Sequence, residues 1–120
     1  MKDIKSWLVE IGNTIDAKDA KGFSEFITEG GSFRFGNAEP VTGRKAIEDY
    51  VAAFFGMIGG SKHEIVKCWN DENGVVWEGK VTYTRLDGKV VPVNFTNVFY
   101  MNGDLIETYN IYIDNTPLFA

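Results

Sequence analysis

The hydrophobic period changes midway along the chain, and this change constrains the fold most. In the first half, apolar residues recur every three or four positions, as in a helix that buries one face. In the second half, valine, isoleucine, threonine and aromatic residues dominate, and turn signals such as Asp87-Gly88 and Asn102-Gly103 separate them. Because turns this short join antiparallel neighbours, the sequence predicts an α+β domain with an antiparallel meander.

Three helices and one short strand are predicted before residue 62. The first helix covers residues 3–15 with Asp3 as its N-cap, and a second helix capped by Asp19 runs to the glycine pair 30–31. After a strand at 32–35, the third helix starts at Thr42 or Gly43 and ends at the glycine pair 59–60. The apolar stripes of these helices are Ile4, Leu8, Ile11 and Ile15, then Ala20, Phe23, Phe26 and Ile27, then Ile47, Tyr50, Val51, Phe54 and Ile58.

Four strands are predicted at 62–69, 75–85, 89–101 and 105–113. A three-residue loop at 86–88 with Gly88 in left-handed geometry pairs Tyr83 with Val91 and separates apolar from polar faces. Asn97 is then the one polar side chain on the apolar face, so it needs a buried partner or faces a cavity. Two alternatives remain for the side chains of strand 62–69 that face inward. They are either His63 and Ile65, or Glu64, Val66 and Cys68.

Charge and composition exclude several functional classes. The 120 residues form one domain, and 17 acidic against 12 basic residues argue against a nucleic-acid partner. A single cysteine, Cys68, and a single histidine, His63, leave any metal site short of ligands, so no metal is expected. The longest nearly apolar run, 51–60, is shorter than the roughly 20 residues of a membrane span, and no signal peptide is evident. We therefore expect a cytoplasmic protein with no membrane partner.

Short motifs in both halves carry a resemblance to a known family. The helix-opening segment at 43–47 is GRKAI, which resembles the G-x-x-A-I segment of the NTF2-like superfamily. The chain end resembles the close of SnoaL-like members, with NGDLI at 102–106, YID at 112–114 and PLF at 117–119. The resemblance covers residues 1–120 as a single domain. It implies three N-terminal helices packed against a curved, mainly antiparallel sheet that forms a conical, mostly apolar pocket.

The resemblance also implies candidate site residues. The steroid isomerases of this superfamily resemble segment 38–43, but their base, tyrosine and protonated aspartate fall on Arg34, Ile11 and Asn97, so their mechanism is not expected. The aspartate of the polyketide cyclases falls on Asp114, which would move a proton while Asn97 holds a carbonyl oxygen. The residues that follow it also place Asp114 to cap a turn before Pro117, and this interpretation is favoured over the catalytic one. The residues expected to bind ligand are Trp7, Ile11, Arg34, Tyr50, Phe54, His63, Phe95, Phe99 and Tyr112.

Two functions therefore stay open at this point. One is a cofactor-free enzyme of the isomerase or cyclase type that uses acid–base chemistry on a hydrophobic carbonyl compound. The other is a non-catalytic domain that binds an apolar ligand or dimerises. A second titratable group beside Asp114 would favour the enzyme, and the candidates are Arg34, His63 and Tyr112.

A homodimer is expected in either case, because proteins that this chain resembles often pair through the outer face of the sheet. An apolar outer face is also costly to leave in water. The residues predicted on that face are Trp69 or Cys68, Val98, Tyr100, Ile111 and Ile113.

Overall fold

Six strands form one open, curved sheet, and helices pack against it. The computed structural model describes residues 3–119. The elements are α1 (Ile4–Asp16), α2 (Ala20–Ser24), β1 (Ile27–Phe35), β2 (Val41–Thr42), α3 (Arg44–Phe55), β3 (Ile58–Asn70), β4 (Gly74–Arg85), β5 (Val90–Asn102), β6 (Leu105–Ile113) and α4 (Thr116–Phe119). The strand order is β2-β1-β6-β5-β4-β3, with β1 and β6 parallel and all other pairs antiparallel. The predicted α+β class and mainly antiparallel sheet are confirmed.

Both predicted helix caps are confirmed. The Asp3 carboxylate accepts a hydrogen bond from the Ser6 backbone N–H at 3.1 Å and starts α1. The Asp19 carboxylate accepts one from the Gly22 backbone N–H at 2.9 Å and starts α2. Each cap satisfies an N–H that the first helical turn leaves without a partner, so short-range chemistry sets where these helices begin.

The predicted ends of two helices are wrong, because strand pairing takes over earlier than the glycines suggest. α2 ends at Ser24, and Ile27 already pairs with Ile106 of β6. α3 ends at Phe55, and Ile58 opens β3 by pairing with Arg85. Both glycine pairs therefore lie inside strands. The hydrophobic period alone does not show where an apolar stripe leaves a helix and enters a strand, since its last apolar residue is buried in either structure.

The implied count of three N-terminal helices is also corrected, although the predicted strand between the second and third helices is present as part of β1. α3 follows β1 and β2, so only α1 and α2 precede the first strand. The two-residue strand β2 and the four-residue helix α4 were not predicted, because neither is long enough to show a hydrophobic period. Among the helices described for residues 3–119, none has the length and apolar character needed to cross a membrane.

The predicted register of the β4–β5 hairpin is confirmed. The Arg85 N–H donates to the Lys89 carbonyl at 2.8 Å, and Gly88 has a φ of 89°. Tyr83 pairs with Val91, as the three-residue loop requires. Only glycine adopts that φ without strain, and the loop therefore fixes which side chains of both strands face the helices.

A bulge in β3 resolves the two alternatives left open for this strand. His63 and Ile65 face the helices, but the pairing register shifts between Ile65 and Lys67. After the shift, Cys68 packs against the core while Val66 is 65% exposed. An extra residue in one strand reverses the alternation that follows it, so each alternative is correct for one part of the strand.

Candidate active site

A cavity of about 50 Å³ lies between α3 and the inner face of the sheet. Most of its wall is apolar, and six of the nine phenylalanines of the chain line it. These are Phe23, Phe33, Phe35, Phe54, Phe55 and Phe95. The polar side chains in the wall are His63, Tyr50, Tyr83, Asn97 and Tyr109. An apolar cavity with a few convergent polar groups is the usual form of a small-molecule site.

The imidazole ring of His63 is oriented by a carboxylate. The His63 Nδ1 and the Asp16 Oδ1 lie 2.6 Å apart. Asp16 also accepts hydrogen bonds from the Ser61 hydroxyl at 2.8 Å and from the His63 backbone N–H at 2.9 Å. An ionised carboxylate only accepts hydrogen bonds, so Nδ1 carries a proton, and in the neutral ring Nε2 keeps its lone pair. Within residues 3–119 no side chain or backbone group is found hydrogen-bonded to this Nε2.

The Asp16 carboxylate stays ionised in this position. Burial raises its pKa, but the side-chain and backbone hydrogen bonds from His63, the electrostatic attraction of His63 and the hydrogen bond from the Ser61 hydroxyl together outweigh burial, and the pKa is lowered from 3.8. The ionised carboxylate therefore orients the ring and stabilises it whenever His63 takes up a proton.

Asp16→Asn should remove stability that depends on this ionised carboxylate. The Asp16 pKa is lower in the folded chain than in the unfolded chain. The ionised carboxylate therefore adds to the stability above pH 3.8, and this stability is lost as the pH falls through the pKa of the folded chain. We expect wild type to exceed Asp16→Asn by about 1–3 kcal/mol in free energy of unfolding at neutral pH, with the difference shrinking below about pH 4. Urea denaturation across this range measures it, and a difference that does not change with pH would contradict the assignment.

Two buried tyrosines supply hydroxyl donors to the site. Burial raises the pKa of Tyr109, and the neighbouring Tyr83 adds to the effect. Burial likewise raises the pKa of Tyr83, with the negative charge of Asp16 as a second cause. Both hydroxyls thus remain protonated well above neutral pH and are able to donate hydrogen bonds to an oxygen in the cavity.

Asn97 presents an open amide to the cavity. The side chain is only 2% exposed, and its Nδ2 donates to the Tyr109 hydroxyl at a long 3.5 Å. Its Oδ1 is buried and has no hydrogen-bond partner among the described residues. Rotating the amide by half a turn exchanges the two ends but leaves one of them open. Since an unpartnered buried amide end is costly, this end of the amide is available to a polar atom that enters the cavity.

The sequence comparison now identifies the family. The model of the SnoaL-like domain family matches residues 10–109. The chain belongs to the SnoaL-like domain family. The match includes Asp16, His63, Asn97 and Tyr109, so the whole polar part of the cavity lies inside the family domain. No curated protein matches the chain.

Solved structures with the same fold are similar to this SnoaL-like domain over most of its length. A hypothetical protein from Catenulispora acidiphila with a ketosteroid isomerase-like fold, in complex with trimethylamine, has a TM-score of 0.80 at 15% identity and covers 88% of this chain and 82% of its own. TerC, co-crystallised with polyporic acid, has a TM-score of 0.80 at 14% identity over 93% and 92%. SalBIII, an epoxide hydrolase/cyclase-like enzyme of pyran ring formation in salinomycin, has a TM-score of 0.79 at 16% identity over 93% and 91%.

Five predicted site residues of this SnoaL-like domain come together in the cavity wall. They are Tyr50, Phe54, His63, Phe95 and Asn97. Three others are buried in the core without lining the cavity, namely Trp7, Ile11 and Phe99. Trp7 packs edge-on against Phe99 at 5.9 Å between ring centroids. Two more form a pair away from the cavity, where Arg34 Nη2 donates to the Tyr112 hydroxyl at 3.2 Å and the guanidinium lies 5.5 Å from the ring centre.

Asp114 lies outside the cavity. Its exposed carboxylate accepts a hydrogen bond from the Thr116 backbone N–H at 3.1 Å, at the start of α4. Hydrogen bonding by Thr116, through its side chain and its backbone, lowers the Asp114 pKa, whereas an acid–base role was expected to need a raised one. The alternative prediction, a turn cap before Pro117, describes the observed geometry.

Asp16 is the site residue that the sequence patterns do not single out. Its partner His63 is 47 positions away, so no local spacing connects the two. One signal lies a helical turn earlier, at Gly12 in the interior of α1. A Cβ there would lie 3.4 Å from His63 Cβ and 3.5 Å from Trp77 Cη2, so the glycine allows α1 to approach β3 closely. Asp16 follows four positions later and therefore faces the same strand.

Proposed function

We propose that this SnoaL-like domain is a cofactor-independent acid–base catalyst of the isomerase or cyclase type, acting on a small hydrophobic carbonyl compound. The observation that carries the proposal is the Asp16-held imidazole of His63 in the wall of an aromatic cavity, with Nε2 unengaged by the described residues. A general base needs a fixed, unprotonated nitrogen that a substrate can reach. In this proposal His63 takes the role that the sequence analysis gave to Asp114.

The proposed reaction begins with proton transfer from carbon to His63 Nε2. The C–H bond next to the carbonyl breaks, its electron pair forms the enolate, and the positive imidazolium is stabilised by Asp16. The hydroxyls of Tyr83 and Tyr109 and the Asn97 amide are the groups available to bind the enolate oxygen. Where the substrate is a β,γ-unsaturated ketone, the enolate is a dienolate, and the imidazolium returns the proton to its γ carbon and moves the double bond, which is an isomerisation. Alternatively, the enolate carbon attacks a second carbonyl of the same molecule and the imidazolium protonates the new alkoxide, which closes a ring.

Structural neighbours support a small-molecule function of this kind. TerC was co-crystallised with polyporic acid, and SalBIII is described as epoxide hydrolase/cyclase-like. Their identities to this chain, 14% and 16%, establish a common fold, and the chemistry is argued from the residues of the cavity.

Deuterium exchange tests the proposal without knowledge of the natural substrate. Cyclohexanone and 2-heptanone in D2O exchange their α-protons when a base removes them, and proton NMR follows the loss of signal. We expect wild type and Asp114→Asn to accelerate exchange equally, because Asp114 lies outside the cavity. Ketones that bind without faster exchange would overturn the enzyme proposal and favour the non-catalytic ligand-binding domain.

We also propose a homodimer through the outer face of the sheet, with a corrected set of residues. Trp69 and Tyr100 are 46% and 54% exposed on that face. Ile111 and Ile113, which were predicted there, instead line the cavity. Sedimentation at micromolar concentration should give a dimer that Tyr100→Glu dissociates. A wild-type monomer under these conditions would contradict the proposal.

A further inference from the structure

A second depression adjoins the cavity and shares part of its wall. It has a volume of about 330 Å³ and is bounded by α3, the loop after β1 and α4. Phe35, Tyr50 and Phe54 line both spaces. We call this depression the outer groove and define it by the three shared residues together with Ala53, Met57 and Phe119. The three shared rings thus lie at the border between the cavity and the outer groove.

Large apolar side chains around the outer groove are left in contact with water. Met57 is 56% exposed, Phe119 is 57% exposed and Tyr50 is 37% exposed. Asn37 and Asn115 add amide groups to the same lining. Exposed apolar residues that cluster around a depression mark a surface that gains from being covered, whereas scattered ones need no explanation.

The inner cavity is too small to hold a hydrophobic ligand by itself. An apolar cavity of about 150 Å³ accommodates one benzene ring, and this one measures about 50 Å³. It has room for a carbonyl group and its nearest carbons beside His63 and Asn97. The rest of any larger molecule must project beyond the cavity wall.

Within residues 3–119, the outer groove is a better exit for that projecting part than a second depression that also meets the cavity wall. The other depression that meets the cavity wall does so at His63, so a ligand would have to pass the imidazole ring to reach it. Lys5 and Glu64 also contribute to its lining, and both are exposed. An apolar segment gains more from the phenylalanine and methionine side chains of the outer groove than from a charged rim.

We infer that the ligand is an elongated carbonyl compound whose polar end occupies the inner cavity and whose apolar tail lies in the outer groove, with Phe119 and Met57 as specificity-determining residues for the tail. The placement of the carbonyl end rests on the proposed function, whereas the placement of the tail rests on the three residues that line both spaces. Burial of each further methylene group of the tail should tighten binding about three- to fourfold until the groove is filled.

A chain-length series of 2-alkanones, from 2-butanone to 2-undecanone, tests the inference by equilibrium binding. Titration calorimetry on wild type should show the dissociation constant falling about threefold or more per methylene through the middle of the series. Phe119→Ala and Phe119→Ala/Met57→Ala should flatten this dependence and leave 2-butanone binding unchanged. Leu86→Ala is the matched control, because Leu86 is 71% exposed in the β4–β5 loop and lines neither space.

The outcomes separate this inference from the proposed function. An affinity that does not depend on chain length would overturn the inference that the tail binds in the outer groove. So would an affinity that Leu86→Ala reduces as much as Phe119→Ala does. A normal chain-length dependence without any deuterium exchange would overturn catalysis and leave the two-part ligand site in place. Both Phe119 and Met57 are mostly exposed, so their replacement should not unfold the domain.

Discussion

His63→Gln is expected to slow deuterium exchange of a bound ketone by a factor of about 10² to 10⁴, the usual contribution of a general base. Glutamine keeps an N–H donor for Asp16 but has no nitrogen lone pair to accept a proton from carbon. The side chain is only 10% exposed, so the replacement stays within the same walls. Proton NMR in D2O at saturating 2-heptanone compares the two rates directly.

Two controls make this result specific. The thermal midpoint and the 2-heptanone dissociation constant of His63→Gln should remain close to the wild-type values, which would separate lost chemistry from lost binding. Asp16→Asn should lower the exchange rate by a smaller factor, because the base is still present but is no longer held or stabilised by a carboxylate. If His63→Gln exchanged the ketone as fast as wild type, His63 would not be the base.

Gly79→Ala is expected to cause the largest loss of stability, about 3 kcal/mol, which is the upper end for an overpacked core. A Cβ at Gly79 would lie 2.5 Å from the Glu64 backbone oxygen, 2.5 Å from Phe95 Cζ and 2.7 Å from Trp77 Nε1. The Glu64 oxygen belongs to the backbone of β3, which is paired along its length with β4, so β3 and β4 would have to separate to relieve the overlap. Urea denaturation should show a lower midpoint, and the displaced Phe95 ring should also weaken ketone binding.

Gly60→Ala is the matched control for this prediction. Gly60 lies in β3, next to the same strand, but a Cβ there would meet nothing within 4 Å and its φ is not in the left-handed region. We expect its free energy of unfolding to stay within about 0.5 kcal/mol of wild type. Equal stability of Gly79→Ala and Gly60→Ala would show that β3 and β4 do not approach as closely as described.

The features that could be predicted from sequence depend on neighbouring residues. The caps at Asp3 and Asp19 and the loop that places Gly88 at positive φ follow from contacts within three residues. The loop in turn placed Tyr83 and Asn97 on the inner face, since side chains alternate along a strand. Local chemistry therefore gave the fold class, the hairpin register and the most informative polar residue.

The features that could not be predicted depend on residues far apart in the chain. Ile27 ends its expected helix because it pairs with Ile106, and Ile58 because it pairs with Arg85. The contact between Asp16 and His63 forms only when α1 packs against β3. Asp114 shows the converse case, because a residue that matches the family motif in the sequence lies outside the cavity wall.

Nitrogen-15 NMR of the imidazole tests the central claim most directly, because His63 is the only histidine in the chain. Labelled histidine gives one pair of ring resonances, so no assignment is needed. We predict a protonated Nδ1 and an unprotonated Nε2 in the neutral ring, and a shift of the Nε2 resonance when 2-heptanone is added. A proton on Nε2 in the neutral ring, or an Nε2 resonance that does not shift when the ketone is added, would contradict the claim that Asp16 holds His63 as a base facing the cavity.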